Sequence, residues 1–125
     1  MTISEKYQAN FATNSMAFKP FILIDGHFRA LVMSHQAMAF KSHVFAERSR
    51  EGWTGNGDDW TSIAQIIVAD QIAIFAEKIT YDSDADMFSA RGTRPALEKL
   101  GFELQAIFQN DEAIRELMSR IKVNL

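Results

Sequence analysis

The alternation of apolar and polar positions predicts two strands near the start of the chain. Apolar side chains crowd residues 16–25 and 28–34. The dipeptide Asp25-Gly26 separates the two runs and is typical of a tight hairpin turn. We therefore expect the two runs to pair as antiparallel strands.

The apolar spacing then changes to the 3.6-residue period of helices. The first stretch, residues 36–50, predicts a helix with Phe40 on its apolar face. The second, residues 59–77, carries an apolar stripe that begins at Trp60 and includes Ile74. Because this stripe is wide, we expect the second helix to be deeply buried.

The second half of the chain repeats this order of elements. Short apolar runs at residues 79–81 and 87–90 flank a polar loop and predict a second hairpin. Pro95 fits the first turn of a third helix, where its missing N–H costs nothing. Gly101 interrupts the apolar face of that helix, which indicates close approach by a neighbouring element. A fourth helix is expected to begin after Asn110.

These eight elements define the expected architecture. The order ββααββαα predicts an α+β fold, in which a single antiparallel sheet of about four strands is covered by helices. The length of 125 residues suits one domain, which we place at residues 15–125. Residues 1–14 are mostly polar, and we expect them to form an N-terminus that is free to fray.

A loop rich in glycine and acid, residues 55–60, opens into the second helix. Its glycines reach backbone conformations closed to other residues, and its Asn and Asp side chains can bond to nearby backbone, so a rigid loop is expected. We expect Asp58 or Asp59 to cap the helix. Trp60 is assigned to the core because it begins the apolar stripe. Trp53 joins no stripe, so packing and exposure at a binding surface are both open.

The composition excludes several function classes. The net charge is −3, from 16 acids and 13 bases, and no stripe of lysine and arginine could neutralise a run of phosphates, so we expect no nucleic-acid partner. The chain contains no cysteine, which rules out disulfides, thiol catalysis and thiolate metal sites. The apolar runs are shorter than the roughly 20 residues that span a bilayer. The N-terminus shows no secretion signal, and we expect a cytoplasmic protein with no membrane partner.

An alternating acidic motif in the second hairpin loop is similar to the start of a calcium loop. Asp82, Asp84 and Asp86 have the spacing of EF-hand ligands. Met87 and Thr93, however, stand where the motif requires glycine and glutamate. We reject an EF-hand and interpret the loop as a solvated turn or as an acidic contact site for a basic partner.

The sequence contains none of the common catalytic motifs. His27, His35 and His43 are eight residues apart, a spacing that matches no metal motif. Neither a G-x-S-x-G elbow nor a phosphate-binding glycine loop is present. We assign no catalytic, cofactor-binding or metal-binding residue. One alternative stays open: a small enzyme or ligand-binding domain with a cleft near residues 55–60, using an aspartate and a histidine as acid and base.

Three segments together resemble a known family. They are Gly55-Asn56-Gly57-x-Asp59-Trp60-x-Ser62-Ile63-Ala64, the hairpin Ile79-Thr80-Tyr81-Asp82-Ser83-Asp84-Ala85-Asp86-Met87-Phe88, and Ala96-Leu97-Glu98-Lys99-Leu100. The pattern over residues 50–121 resembles the bacterial immunity proteins of polymorphic toxin systems, family 51. Asp58 and Asp86 depart from that pattern, since an aromatic residue and a glycine are commoner there, and both departures add negative charge.

The resemblance implies a protein that binds and neutralises a cognate bacterial toxin domain. Inhibition would be stoichiometric and cytoplasmic, either by plugging the toxin's active site or by locking the toxin in an inactive shape, with no enzymatic activity and no cofactor. The acids would steer a basic toxin surface, and Trp53 would supply a desolvated anchor. We expect a monomer or a weak homodimer. The expected partner-binding residues are Trp53, Asn56, Asp58, Asp59, Asp82, Asp84 and Asp86.

Overall fold

Four strands and five helices follow each other closely along the described part of the chain. The computed structural model describes residues 17–121, so the segment at residues 1–14 that we expect to fray lies outside the described residues. In chain order the elements are β1 (Ile22–Asp25), β2 (Arg29–Ser34), α1 (His35–Ala39), α2 (Ser42–Ala46), α3 (Gly57–Gln71), β3 (Ile79–Tyr81), β4 (Met87–Gly92), α4 (Arg94–Phe108) and α5 (Asp111–Arg120). Short 3-10 helices lie at Ser49–Glu51 and Ala73–Lys78.

The strands form one antiparallel sheet in the order β1-β2-β4-β3. Both predicted hairpins are present, β1 with β2 and β3 with β4. Leu31 lies opposite Leu23 on one side and Ala90 on the other, and Ala90 lies opposite Tyr81. The α+β architecture predicted from the sequence is confirmed.

The apolar core lies between this row of strand residues and the helices. Helix α3 packs against β4, and α4 packs against β1, β2 and β4. Trp60 of α3 is fully buried, as its place in the apolar stripe predicts. Its ring contacts Phe21, Phe45 and Phe108, with centroids 5.5 to 6.0 Å apart. This aromatic cluster joins the start of β1, the short helix α2 and the end of α4.

Helix α4 confirms the close approach predicted at its glycine. A Cβ built on Gly101 would lie 2.7 Å from the Phe18 ring, a distance that real side chains do not adopt. Thr93 caps the helix, with Pro95 in its first turn, and Asn110 caps α5. The predicted starts of both helices are therefore confirmed.

The single helix predicted over residues 36–50 is wrong. The chain instead forms α1 and α2, which are separated at Lys41, where the backbone leaves helical geometry (φ −114°, ψ 4°). The Ser42 hydroxyl donates to the Ala39 carbonyl across this break, at 2.9 Å, and so satisfies one end of α1. The break also frees Lys41 to reach Asp111 on α5, Nζ to Oδ1 at 2.7 Å.

Two further boundaries differ from the sequence prediction. Helix α3 ends at Gln71, because the backbone leaves helical geometry at Ile72 (φ −140°, ψ 41°), and a 3-10 helix then runs over Ala73–Lys78. Past the break the 3.6-residue period no longer applies, so Ile74, predicted in the stripe, is 85% exposed. Strand β1 starts at Ile22, later than predicted, because the Phe21 N–H donates to the Phe18 carbonyl in a turn.

Candidate functional site

Two side chains, Asn56 and Asp59, accept the hydrogen bonds that fix the glycine loop, residues 54–57. Asn56 caps α3, its Oδ1 accepting the Asp59 N–H at 2.9 Å. Asp59 reaches back, its Oδ2 accepting the N–H groups of Thr54 at 2.7 Å and Gly55 at 2.8 Å. The prediction that Asp58 or Asp59 caps the helix is therefore wrong, because Asp59 sits at the third helical position and bonds the loop instead.

The two glycines of this loop are required by close packing. Gly55 has φ 83°, and a Cβ built on it would lie 3.2 Å from the Phe45 ring. At Gly57 a Cβ would lie 2.1 Å from the carbonyl oxygen of Asp84 and 2.2 Å from that of Met87. The glycine loop is thus pressed directly onto the backbone of the β3–β4 hairpin.

The acidic turn, residues 82–86, has its own internal order. The Asp84 N–H donates to the Met87 carbonyl at 3.0 Å, and the Asp86 N–H donates to Asp84 Oδ1 at 2.8 Å. The Ser83 hydroxyl accepts the Ser89 N–H at 2.8 Å and lies 2.7 Å from the Thr61 hydroxyl of α3. The glycine loop and the acidic turn, which are separated in the sequence by helix α3, therefore form one continuous surface.

A groove of about 450 Å³ opens between these two segments and the first helices. We call it the loop groove, and it is lined by His35, Met38, Ala39, Ser42, Thr54, Gly55, Asn56, Ala85 and Asp86. None of these described lining residues is lysine or arginine. Its two ionisable side chains, His35 and Asp86, lie 4.0 Å apart from Nδ1 to Oδ1 and are 70% and 87% exposed. The pair is solvated, so the groove is an open acidic surface feature rather than a closed cavity.

The acids predicted as partner-binding residues divide into two groups. Asp58, Asp84 and Asp86 are exposed. Asp82 is half exposed and pairs with Arg91 across 3.2 Å. Asp59, together with Asn56, is occupied in the bonds that shape the glycine loop. Only the first group therefore presents carboxylates that a partner can reach freely.

The tryptophan expected as an anchor lies inside the molecule. Trp53 is 5% exposed, and its ring packs on Phe45 with centroids 5.9 Å apart. Of the two alternatives that the sequence left open, packing is the one observed. Phe45 also packs against Gly55. Trp53 therefore supports the glycine loop through Phe45 and offers almost no exposed surface to a partner.

Phe40, which the sequence placed on a buried face, is an exposed aromatic residue in the turn between α1 and α2. It is 75% exposed and lies between Ala39 and Ser42, two residues that line the loop groove. The spacing of Ala37, Phe40 and Val44 fits a continuous helix, so no signal in the pattern marks the break that turns Phe40 outward.

The three histidines lie in different elements and do not form a cluster. His27 lies in the β1–β2 turn, His35 begins α1, and His43 in α2 has its Nε2 3.6 Å from Asp111 Oδ2. Within residues 17–121, no group of three or more histidine, cysteine, aspartate or glutamate side chains is placed to hold a metal ion.

Burial raises the pKa of Tyr81 to about 12, so its hydroxyl stays protonated at neutral pH.

Behind the groove, an ionic seam ties α2 to α5. Arg115 makes two bonds to Glu47, at 2.8 and 2.9 Å, and Lys41 bonds to Asp111. The hydrogen bond from Lys41 holds the pKa of Asp111 below its ordinary value, and the bond from Arg115 does the same for Glu47. The seam fixes α2, which together with α1 forms one wall of the groove.

Comparison with known families decides the class of the protein. The Immunity protein 51 family matches residues 21–123, a span that includes every strand and helix described above. The chain belongs to the Immunity protein 51 family. The resemblance seen in the sequence is thereby confirmed, and the family name indicates an immunity protein.

The loop groove, the glycine loop and the acidic turn all lie within the matched residues of this Immunity protein 51 member. No curated protein and no solved structure gives a significant match to the chain. None of the helices between residues 17 and 121 is long and apolar enough to cross a membrane.

Proposed function

We propose that this protein binds and neutralises a cognate bacterial toxin domain by stoichiometric protein–protein inhibition in the cytoplasm. Membership of the Immunity protein 51 family is the observation that carries the proposal. Such families are not typically enzymatic, and a protein that acts by contact needs an interface rather than catalytic groups. The toxin would be held with its active site plugged or locked in an inactive shape.

The face around the loop groove supports this proposal. It combines an exposed aromatic ring at Phe40 with reachable carboxylates at Asp58, Asp84 and Asp86. Such carboxylates raise the association rate with a basic partner and accept hydrogen bonds from its lysine or arginine. Asp82 contributes charge that Arg91 partly offsets.

The other residues expected to bind the partner act indirectly in this proposal. Asn56 and Asp59 hold the glycine loop in shape, and Trp53 packs beneath it through Phe45. A loop held in one conformation before binding loses little conformational entropy when the toxin arrives. These residues therefore act as positioning residues of the interface.

Co-expression tests the proposal. The toxin domain encoded directly beside this gene should arrest growth when it is produced alone and should lose that effect when this protein is produced with it. The two chains should then co-purify in equal amounts. Continued growth arrest in cells that contain the folded immunity protein would contradict the proposal.

One observation favours a second candidate, a small ligand-binding domain or enzyme that uses the loop groove. His35 and Asp86 converge there, as an acid and base pair would. Their separation of 4.0 Å and their high exposure are unfavourable for proton transfer, since water screens the pair.

The variant His35→Ala separates the two candidates. It removes the one histidine that lines the groove and leaves the other lining residues in place. If the protein acts by contact, toxin neutralisation and complex formation should be retained or weakened together. A variant that keeps the 1:1 complex but no longer neutralises the toxin would favour chemistry at this site.

A further inference from the structure

We propose that the loop groove receives a lysine or arginine side chain of the toxin, while an apolar residue beside that cation packs on Phe40. The inference rests on the proposed function, because the occupant is a segment of the toxin domain. It adds an anchor, Phe40, that neither the sequence pattern nor the family match identifies. Four observations support it.

The first observation is the high exposure of Phe40. Five large apolar residues of the described chain are exposed, namely Phe28, Phe40, Ile74, Met87 and Phe102. Phe102 packs edge-on against Phe18 at 4.8 Å, and Phe28 stacks with the Arg91 guanidinium at 5.3 Å. Phe40, at 75% exposed, follows the groove-lining residue Ala39 in the turn between α1 and α2, where a partner seated in the groove can cover it and remove its apolar surface from water.

The second observation is the charge around the groove. Asp86 lines it, Asp84 directly precedes the lining residue Ala85, and Asp58 lies two positions after the lining residue Asn56. His35 lies 4.0 Å from Asp86, and two cations of neighbouring segments are engaged with other acids: Lys41 with Asp111 at 2.7 Å and Arg91 with Asp82 at 3.2 Å. The groove thus has a negative rim without a resident lysine or arginine, which is complementary to a cationic side chain.

The third observation is the rigidity of the walls. The glycine loop is held by Asn56 and Asp59, and Gly57 lies against the carbonyl oxygens of the acidic turn. The ionic seam holds the opposite wall through Glu47 and Arg115. A preformed site spends less of its binding free energy on ordering its own side chains and loops.

The fourth observation is the contrast with a second groove. A groove of about 300 Å³ between α3, α4 and α5 is also acidic, through Asp70, Glu103 and Glu116. Arg120 lines that groove and pairs with Asp70 at 2.5 Å, while Lys99 pairs with Glu103 at 3.4 Å. Its charges are therefore satisfied by lysine and arginine within the chain, whereas Asp86 of the loop groove has only His35 near it, at 4.0 Å, and pairs with no lysine or arginine of residues 17–121.

A matched pair of double variants tests the inference. The test variant, Phe40→Ala with Asp86→Asn, removes the anchor ring and one rim charge. The control, Ile74→Ala with Glu77→Gln, also truncates one exposed apolar residue and neutralises one exposed acid. The control lies beyond the far end of α3, a helix of 15 residues and about 22 Å. All four positions are exposed, so both variants should melt as the wild type does.

Affinity for the catalytically inactive toxin domain, measured by calorimetry, gives the result. The test variant should raise Kd by about tenfold or more, as loss of an anchor does, and the control should change it by less than about twofold. Equal affinity of wild type and both variants would overturn the inference and leave the proposed function standing. No binding by the wild type would overturn both.

The toxin side of the contact can be located in the same system. Lysine and arginine residues of the toxin interface are replaced by alanine one at a time, each with and without Asp86→Asn. The cation that occupies the groove should lose most of its effect on Kd when Asp86 is already neutral. Independent effects at every toxin cation would contradict occupation of the loop groove.

Discussion

At the scale of single residues, close packing explains the glycine and tryptophan pattern. The Gly55 to Trp60 segment combines loop chemistry, charge and an aromatic residue, and so suggests a binding loop. In the structure Gly57 is pressed on the hairpin backbone, Trp60 fills the core and Trp53 supports Phe45. The residues that give the segment its family character thus pack beneath the surface of the glycine loop and shape it.

Replacing Gly57 by alanine tests this role. The added Cβ would meet the carbonyl oxygens of Asp84 and Met87, and backbone atoms cannot move aside cheaply. We expect a loss of unfolding free energy of about 1–3 kcal/mol, typical of overpacking, with shifted NMR amide signals in the acidic turn. Gly52→Ala is the control, because no atom lies within 4 Å of its added Cβ and only its φ of 98° is strained. Unshifted acidic-turn signals in Gly57→Ala would refute the packing account.

At the scale of elements, features set by local residue preferences were predicted from the sequence, whereas a feature that depends on tertiary contacts was not. Strand pairing, the turn at Asp25-Gly26 and the starts of α4 and α5 follow from local residue preferences, and all are observed. The break at Lys41 does not follow from them. The break lets Lys41 bond to Asp111, a residue 70 positions away, and such a contact leaves no periodic trace in the sequence.

The ionic seam between α2 and α5 predicts a pH dependence. The pKa values of Asp111 and Glu47 are held below their ordinary values of 3.8 and 4.5 by Lys41 and Arg115. A lowered folded-state pKa gives stability that is complete above the ordinary value and is lost as pH falls through the folded value. The seam should therefore stabilise the fold at neutral pH and fail progressively below the ordinary values.

Chemical denaturation at a series of pH values checks this expectation. The double variant Asp111→Asn with Glu47→Gln should be less stable than the wild type at pH 7, and the difference should shrink toward pH 3. The effect is modest, because the four side chains are partly exposed and water screens them. A difference that stays constant over the whole pH range would show that these carboxylates do not carry it.

At the scale of the whole molecule, the sequence predicted the fold class and the family but not the shape of the surface. The order of elements and the family pattern were sufficient for the α+β fold and the family. The loop groove forms from α1, α2, the glycine loop and the acidic turn, and their meeting depends on packing that one sequence does not display. For the same reason the sequence did not show that Trp53 is buried or that Phe40 is exposed.

Long-range charge gives a prediction for association with the toxin. Replacing the exposed Asp58 and Asp86 by alanine should slow association, most visibly at low salt, because carboxylates steer a basic surface over distances that salt screens. Glu77→Ala with Glu112→Ala changes net charge equally at exposed sites elsewhere on the molecule. Association rates that are equal for the two variants at every salt concentration, measured by stopped flow, would remove the steering role from this face.

Stoichiometric titration of toxin activity tests the central claim most directly. With the toxin held well above Kd, its activity should fall linearly as this protein is added and should reach its minimum at one equivalent. That end point is the signature of inhibition by a 1:1 complex. Full toxin activity at a large excess of folded protein, or complete loss at a small fraction of an equivalent, would contradict the account, since the second result indicates catalytic turnover by this chain.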